Sequence, residues 1–269
     1  MNRINTETQK KIQFEILKYT FEICEKNNLT CFLGGGTLLG AVRHHGYIPW
    51  DDDIDIMMPR EDYDILLSIF NSQEENDFRL LSFYNTDDYY YPFSKIVDKR
   101  TKLEELEFKE IKDMGVYIDV FPIDFLPDDD RKVKKIFNKY KIFQRLMLLY
   151  QTKDIRILTK NKIKLMLKQI LLPVLKTNII RKTILKKMDN IGKKYNNTKR
   201  VACISGRYLE KEIMPRNYIS NFVLLEFEGE KFKAPIGYDD YLKKHYGNYM
   251  ELPPKEKQVL GHNNIAYWK

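Results

Sequence analysis

The apolar positions of this chain follow two periods, and each period predicts one kind of element. Positions that recur every three to four residues predict three helices in the first half of the chain, over residues 6–27, 37–43 and 61–70. Short runs of apolar, β-branched and aromatic residues predict six strands, over residues 29–33, 54–58, 78–84, 93–97, 115–121 and 222–227. Thr37 is expected to cap the second helix. This mixture of helices and strands predicts an α/β or α+β fold.

Beyond residue 130 the pattern changes to a long, basic and helical segment. Apolar residues recur at helical spacing from Ile136 to Ile191, which predicts two to four amphipathic helices, one of them ended by Pro173. Residues 131–200 contain 22 Lys or Arg and two acids, a net charge of +20. The whole chain carries +8, so the remainder carries −12. This asymmetry indicates an anionic partner for the basic segment.

These changes divide the chain of 269 residues into three regions. We predict a catalytic core over residues 1–130, a basic helical insertion over 131–200, and a C-terminal part over 201–269 that completes the core. The hydrophobic content of 43% excludes a disordered chain. The three cysteines show neither disulfide nor zinc spacing, and no apolar stretch has the length of a signal peptide or a membrane span. A cytoplasmic protein is therefore expected, with peripheral contact at the inner face of the membrane as an option.

Two neighbouring motifs carry candidate chemistry. A glycine run at residues 34–40 precedes an acidic stretch that contains Asp51, Asp53 and Asp55. On a strand, Asp53 and Asp55 would share one face, and carboxylates that close repel unless a cation binds between them or one is protonated. Carboxylate oxygens at this spacing suit Mg²⁺ or Mn²⁺, and glycines let a backbone approach a phosphate. Together the motifs predict metal-assisted phosphoryl chemistry.

Residues 34–56, GGGTLLGAVRHHGYIPWDDDIDI, resemble the signature of the LicD family, to which fukutin and fukutin-related protein are distantly similar. The similarity extends to segments 92–96, 117–124 and 246–254. The resemblance implies a nucleotidyltransferase-like core with a mixed sheet. It also implies transfer of a phosphoalcohol, most simply phosphocholine from CDP-choline, to a hydroxyl of a cell-surface glycan or teichoic-acid precursor, with release of CMP.

The resemblance also implies a third carboxylate from a neighbouring strand, and Asp119 is the candidate. Ile118 and Val120 flank it, and an acid between buried neighbours is costly unless something charged pairs with it. The alternative is an edge strand with Asp119 facing water. We therefore predict Asp53, Asp55 and Asp119 as catalytic residues that hold Mg²⁺ or Mn²⁺.

A second set of residues is predicted to contact the donor phosphates. Arg43 could clamp them with two hydrogen bonds, although it could also be a surface arginine that compensates the nearby acids. The full predicted set is Gly35, Gly36, Thr37, Arg43 and Lys95. The adjacent His44 and His45, and His262 near the C-terminus, receive no role.

Several alternatives remain open from the sequence. A nucleotidyltransferase that places NMP on a small molecule, protein or RNA would use the same motifs, and a non-catalytic binding protein is a lesser alternative. Nucleic acid is not expected as a partner, because aromatic residues become sparse after Tyr150. The lysine-rich amphipathic helices suit an anionic membrane better, where a lipid-linked acceptor would be found. The identity of the alcohol, the acceptor glycan and the oligomeric state stay undetermined.

Overall fold

The computed structural model describes residues 2–72, 76–259, 261 and 263–269; His262 lies outside them. The helices in this part of the chain are α1 (Thr6–Lys26), α2 (Gly35–His44), α3 (Arg60–Ser72), α4 (Asp130–Gln151), α5 (Lys162–Leu175), α6 (Asn178–Gly192) and α7 (Tyr238–Tyr246). The strands are β1 (Arg3–Ile4), β2 (Phe32–Leu33), β3 (Asp55–Pro59), β4 (Phe78–Leu81), β5 (Ser94–Asp98), β6 (Thr101–Glu105), β7 (Tyr117–Leu126), β8 (Arg200–Ala202), β9 (Ile213–Pro215), β10 (Phe222–Phe227), β11 (Glu230–Pro235) and β12 (Asn264–Trp268). The predicted mixed helix and strand content is confirmed.

A mixed sheet forms the centre of the molecule, with the strand order β2-β3-β7-β5-β4. β3 and β7 are parallel, and the other neighbours are antiparallel. β7 is long enough to pair twice: residues 117–123 lie between β3 and β5, and residues 124–126 pair with β8, which also pairs with β9. Ile56, Ile118 and Val120 are fully buried at its centre. The sheet thus draws on the chain before and after the basic segment.

Two smaller sheets flank the central one. In one of them β12, the last strand, lies between β1 and β6 and pairs with both. This sheet therefore connects the two ends of the described chain to residues 101–105. β10 and β11 form an antiparallel hairpin, and β11 packs against β2. The apolar row of α1, which includes Ile12, Ile16 and Ile23, is buried against this core as its spacing predicted. The division into three regions stays a prediction.

Several predicted boundaries are wrong in detail. α2 begins at Gly35 with Gly34 as its N-cap, so Thr37 does not cap it. The reason is that the Thr37 hydroxyl instead accepts a hydrogen bond of 2.8 Å from the backbone amide of Asp55. The strand predicted over 29–33 is reduced to Phe32–Leu33, because the amide of Leu29 still bonds to the end of α1.

Pro173 does not end its helix, because α5 continues to Leu175. The proline lies in an exposed part of α5, where water can bond to the carbonyl that the missing N–H leaves without a partner. β6 was not predicted, since its alternating pattern is broken by charged residues. Among the described residues, no helix is both long enough and apolar enough to cross a bilayer.

One of the two acids of the basic segment attaches α6 to the core. Asp189 of α6 accepts a hydrogen bond of 2.9 Å from Arg60 at the start of α3, and one of 2.5 Å from the hydroxyl of Tyr84. The same Arg60 binds Asp124 of β7 through two nitrogens, at 2.6 and 3.1 Å. Both carboxylates are buried, so this network joins the basic segment to the central sheet rather than to solvent.

Gly192→Ala is expected to loosen this attachment. A Cβ at Gly192 would lie 2.6 Å from the carboxylate carbon of Asp124, which the Arg60 network holds in place. Overpacking of this kind costs about 1–3 kcal/mol of unfolding free energy. Urea unfolding checks it, with the exposed Asn190→Ala on the same helix as the control. Equal stability of the two variants would show that the contact is easily relieved.

Candidate active site

Three charged side chains meet across three neighbouring strands. In the parallel register of β3 and β7, Asp55 lies opposite Asp119, and Asp119 lies opposite Lys95 of β5. The ammonium of Lys95 donates a hydrogen bond of 2.6 Å to the Asp119 carboxylate and is itself only 2% exposed. β7 is a central strand, so the alternative of an edge strand with Asp119 facing water is wrong. Asp55 and Asp119 are therefore direct neighbours at one end of the parallel pair.

Asp53 and Asp51 reach the same place from the segment that leads into β3. The strand begins at Asp55, so the expectation that Asp53 also lies within it is wrong. The side chains nevertheless line one cavity together: Asp51, Asp53, Asp55 and Asp119 all lie on its wall, whereas Asp52 is buried and does not. The structure thus brings all three predicted catalytic carboxylates to one cavity.

The glycine run makes room for these carboxylates. Gly35 has a φ of +47°, and a Cβ there would collide with the Asp55 carboxylate. A Cβ at Gly36 would lie 2.6 Å from a carboxylate oxygen of Asp51. Both glycines also line the cavity. Their small size is therefore required by the acids that follow them, and their predicted contact with phosphate stays a prediction.

The electrostatic environment of Asp55 is unfavourable for a free carboxylate. Burial raises the pKa of Asp55 well above its usual range, and the charges of Asp53 and Asp119 raise it further. Asp51 adds to this effect on the pKa, and Lys95 opposes it. A group held in this way either keeps a proton or has a cation beside it.

This donor set fits a divalent cation. Hard carboxylate oxygens from two strands face one cavity, and the raised pKa of Asp55 marks an excess of negative charge there. Asp53, Asp55 and Asp119 are the ligands that the sequence predicted. Among the described residues, the group of three carboxylates with oxygens within 4.8 Å of one another is instead Asp51, Asp52 and Asp53. The choice of ligands therefore stays a prediction.

The cavity has a volume of about 870 Å³, enough for a nucleotide-sized ligand. Arg43 lies on its wall and donates hydrogen bonds to the carbonyls of Tyr249 (2.7 Å) and Glu251 (3.3 Å). Its Nε bonds to His44, and burial lowers the pKa of both side chains. Arg43 therefore ties α2 to the C-terminal segment, which argues against a merely superficial arginine.

Two residues of the predicted phosphate set lie off the cavity wall. Thr37 is buried and engages the amide of Asp55, and Lys95 is buried against Asp119. The ammonium of Lys95 also lies 3.5 Å from the centre of the Tyr117 ring. In this arrangement the positive charge of Lys95 compensates the negative charge of Asp119. A sequence motif alone cannot distinguish this role of the lysine from a contact with phosphate.

An aromatic wall of this cavity was not assigned from the sequence. Tyr208, Tyr241 and Tyr246 line it together with Glu212, which is 3% exposed. The Tyr241 hydroxyl donates to Glu212 at 3.2 Å, and a His245 nitrogen also lies 3.2 Å from that carboxylate. Their only sequence signal is an abundance of tyrosine near the C-terminus. These residues follow the acidic motif by about 150 to 190 positions, so only the fold brings them to the same cavity.

Further polar groups complete this cavity. Arg207 and Lys257 add two cations to its wall, opposite in charge to a phosphate. Ser205 lies there too, is 8% exposed, and its hydroxyl has no hydrogen-bond partner in the described part of the chain. The cavity thus combines clustered carboxylates, cationic side chains and an aromatic wall, which suits a ligand with both phosphates and a further organic group.

A glycine-initiated helix followed by a strand that carries acids, paired in parallel with a second acidic strand, is the arrangement of nucleotidyltransferase domains. Comparison with known families agrees. Residues 28–153 match the family described as LicD/FKTN/FKRP, nucleotidyltransferase domain.

Curated relatives extend the similarity. The chain is similar over 99% of its length to the lipopolysaccharide cholinephosphotransferase LicD of Haemophilus influenzae, of which it covers 99%, with 27% identity. Uncharacterized proteins of Rickettsia prowazekii and Rickettsia typhi are each 51% identical to it over 49 residues, 18% of this chain and 18% or 16% of theirs. The family resemblance found in the sequence is confirmed.

Proposed function

We propose that this protein transfers phosphocholine from CDP-choline to a hydroxyl of a cell-surface glycan, such as lipopolysaccharide, and releases CMP. One observation carries the proposal: carboxylates of two paired strands line one cavity in a chain similar from end to end to a lipopolysaccharide cholinephosphotransferase. The donor, the metal and the products go beyond that similarity.

The carboxylate wall supports phosphoryl chemistry. A divalent ion held by Asp53, Asp55 and Asp119 would screen the charge of the donor diphosphate. Arg43 lies on the same wall and can bind donor oxygens while its backbone contacts fix its direction. Gly35 and Gly36 allow the donor close to the backbone. These residues position the phosphorus that carries the choline for attack.

The acceptor hydroxyl attacks that phosphorus, and the bond to the CMP oxygen breaks. We assign Asp119 as the group that accepts the hydroxyl proton, because it lies on the cavity wall and Lys95 fixes its orientation at 2.6 Å. CMP leaves with the electron pair of the broken bond. Arg207 and Lys257 can stabilise its charge from the wall of the cavity.

The aromatic wall supports choline as the alcohol. A trimethylammonium group carries a permanent charge that tyrosine rings attract, and desolvated cation–π contacts contribute about 2 kcal/mol. Tyr208, Tyr241 and Tyr246 offer such rings, and the buried carboxylate of Glu212 lies beside them. A neutral alcohol such as glycerol or ribitol would gain little from this wall.

A panel of CDP-alcohols with Mg²⁺ and a glycan acceptor tests the function. CMP release is expected to be fastest with CDP-choline and to stop with EDTA, because the carboxylates need a cation to bind a diphosphate. Tyr208→Leu should lower kcat/KM for CDP-choline about 30-fold while leaving CDP-glycerol nearly unchanged. Tyr195→Leu, outside the cavity wall, is the control.

Other outcomes of the panel contradict the proposal in distinct ways. A product that retains the nucleotide would assign the protein to NMP transfer. CMP release with a clear preference for another CDP-alcohol would support the proposed reaction but contradict choline as the alcohol that is transferred. Turnover that continues in EDTA, after the protein has been washed with chelator, would contradict the proposed requirement for a divalent cation.

A further inference from the structure

The outer face of α5 exposes a continuous apolar surface. Six side chains on it are between 38% and 68% exposed, and we call them the outer row: Ile163, Met166, Leu167, Ile170, Leu171 and Val174. Their spacing of three or four residues places them on one side of the helix. Scattered exposed apolar residues are common, but a contiguous row marks a surface that another body covers.

The opposite side of α5 already has its partner. Leu165, Leu172 and Leu175 face inward, and the helix contacts α4 and α6 there. The outer row is therefore a second apolar face, and no described part of the chain covers it. A helix that needed only one face for folding would be expected to carry polar residues at these positions.

Charge identifies what can cover the outer row. Residues 155–188 contain ten Lys or Arg and no acid. Lys162 and Lys164 lie in the first turn of α5, and at 100° per residue they fall on either side of the outer row. Both are exposed, as are Lys160 and Lys176 at the two ends. An apolar stripe bordered by lysines is complementary to a surface of anionic headgroups over hydrocarbon.

We propose that the outer row of α5 docks on the surface of an anionic lipid bilayer. α5 has 14 residues and is about 21 Å long at 1.5 Å per residue, so it would lie in the plane of the interface. The apolar side chains enter the boundary between headgroups and acyl chains, while the lysines bind lipid phosphates. This docking does not depend on the proposed transferase activity, and it would bring the enzyme to acceptors that are anchored in a membrane.

Vesicle sedimentation with the full chain tests the docking. The protein is expected to bind vesicles of phosphatidylcholine with about 30% phosphatidylglycerol, and to bind phosphatidylcholine alone far more weakly. Met166→Ser with Ile170→Ser should reduce the partition coefficient at least tenfold, because less apolar area enters the interface. Lys162→Gln with Lys164→Gln should reduce it about 10- to 30-fold.

Matched variants elsewhere on the surface control for general effects. Leu224→Ser with Ile236→Ser removes apolar groups that are also exposed, at 54% and 46%, and Lys26→Gln with Lys231→Gln removes exposed charges; neither should change binding. Gel filtration completes the test. A dimer that the outer-row variant dissociates would assign the row to a second copy of the chain and overturn the proposal. Absent vesicle binding, or equal binding to neutral vesicles, would also overturn it.

Discussion

Asp55→Asn is expected to lower phosphocholine transfer by at least about 10³-fold while the protein stays folded. The carboxylate lies where β3 and β7 meet, and several kcal/mol of charge stabilisation in the reaction depend on it in the proposed mechanism. Asp53→Asn should have a similar effect. CMP release by the purified variants measures the loss, and near-normal turnover of either one would defeat the ligand assignment.

The stability of Asp55→Asn should move in the opposite direction from its activity. Burial and neighbouring acids raise the pKa of Asp55 in the native state. At a pH between the pKa of Asp55 in the unfolded chain and its higher pKa in the native state, the native protein keeps a proton that the unfolded chain has lost. In EDTA, unfolding free energy should therefore fall as pH rises above the usual range of an aspartate. Asparagine does not ionise, so the variant lacks this pH-dependent loss of unfolding free energy. The melting temperature of Asp55→Asn near neutral pH should therefore equal or exceed that of the unchanged protein.

Asp52→Asn provides a matched control for both measurements. Asp52 lies between Asp51 and Asp53 in the chain and is buried, but it does not line the cavity. Its substitution should leave the rate within a few-fold of the original, since no step of the proposed reaction uses it. A loss equal to that of Asp55→Asn would instead favour the Asp51, Asp52 and Asp53 cluster as the cation site.

Lys95→Met is expected to cost about 3–5 kcal/mol of unfolding free energy in EDTA. Lys95 and the Asp119 carboxylate form a pair at 2.6 Å in which both side chains are nearly buried, and removal of one partner leaves an uncompensated charge. That charge lies directly beside Asp55 in the sheet register. Mg²⁺ should restore much of the stability, because a bound cation supplies the missing positive charge and stabilises only the native state.

Lys102→Met on β6, the next strand along the chain but in a different sheet, serves as the control for Lys95→Met. Lys102 pairs with Glu104 and Glu110 at 30% exposure, so its removal should change stability by less than about 1 kcal/mol. Denaturant unfolding with and without Mg²⁺ measures both variants. Unchanged stability together with a raised KM for the donor would favour the phosphate contact that the sequence suggested for Lys95.

The local patterns predicted the central strands and most helices well. Asp55, Asp119 and Lys95 fall within predicted strands, and β3, β5 and β7 carry the apolar runs that identified them. The spacing of apolar residues does not predict the order of the strands in the sheet. The pairing of Lys95 with Asp119 depends on β5 and β7 being neighbours, which is a property of the sheet and not of either segment.

The aromatic wall lay beyond sequence reasoning for a related physical reason. Tyr208 and Glu212 come from short turns with no periodic signal, and their position depends on β8 and β9 joining the central sheet. The exposure of the outer row of α5 was equally hidden, because helical spacing shows that a face is apolar but not whether the protein covers it. The position of the aromatic wall and the exposure of the outer row both depend on contacts between segments that are distant in the sequence.

The order of pairing along β7 also bears on biosynthesis. The part of β7 that carries Asp119 pairs with β3 and β5, both of which precede it in the chain, whereas β8, the partner of its last three residues, comes after the lysine-rich helices. A ribosome therefore makes every strand around these carboxylates before it makes the lysine-rich helices, and the strands leave it first. Folding in that sequence buries the acids in their sheet before a polycation emerges that could capture them.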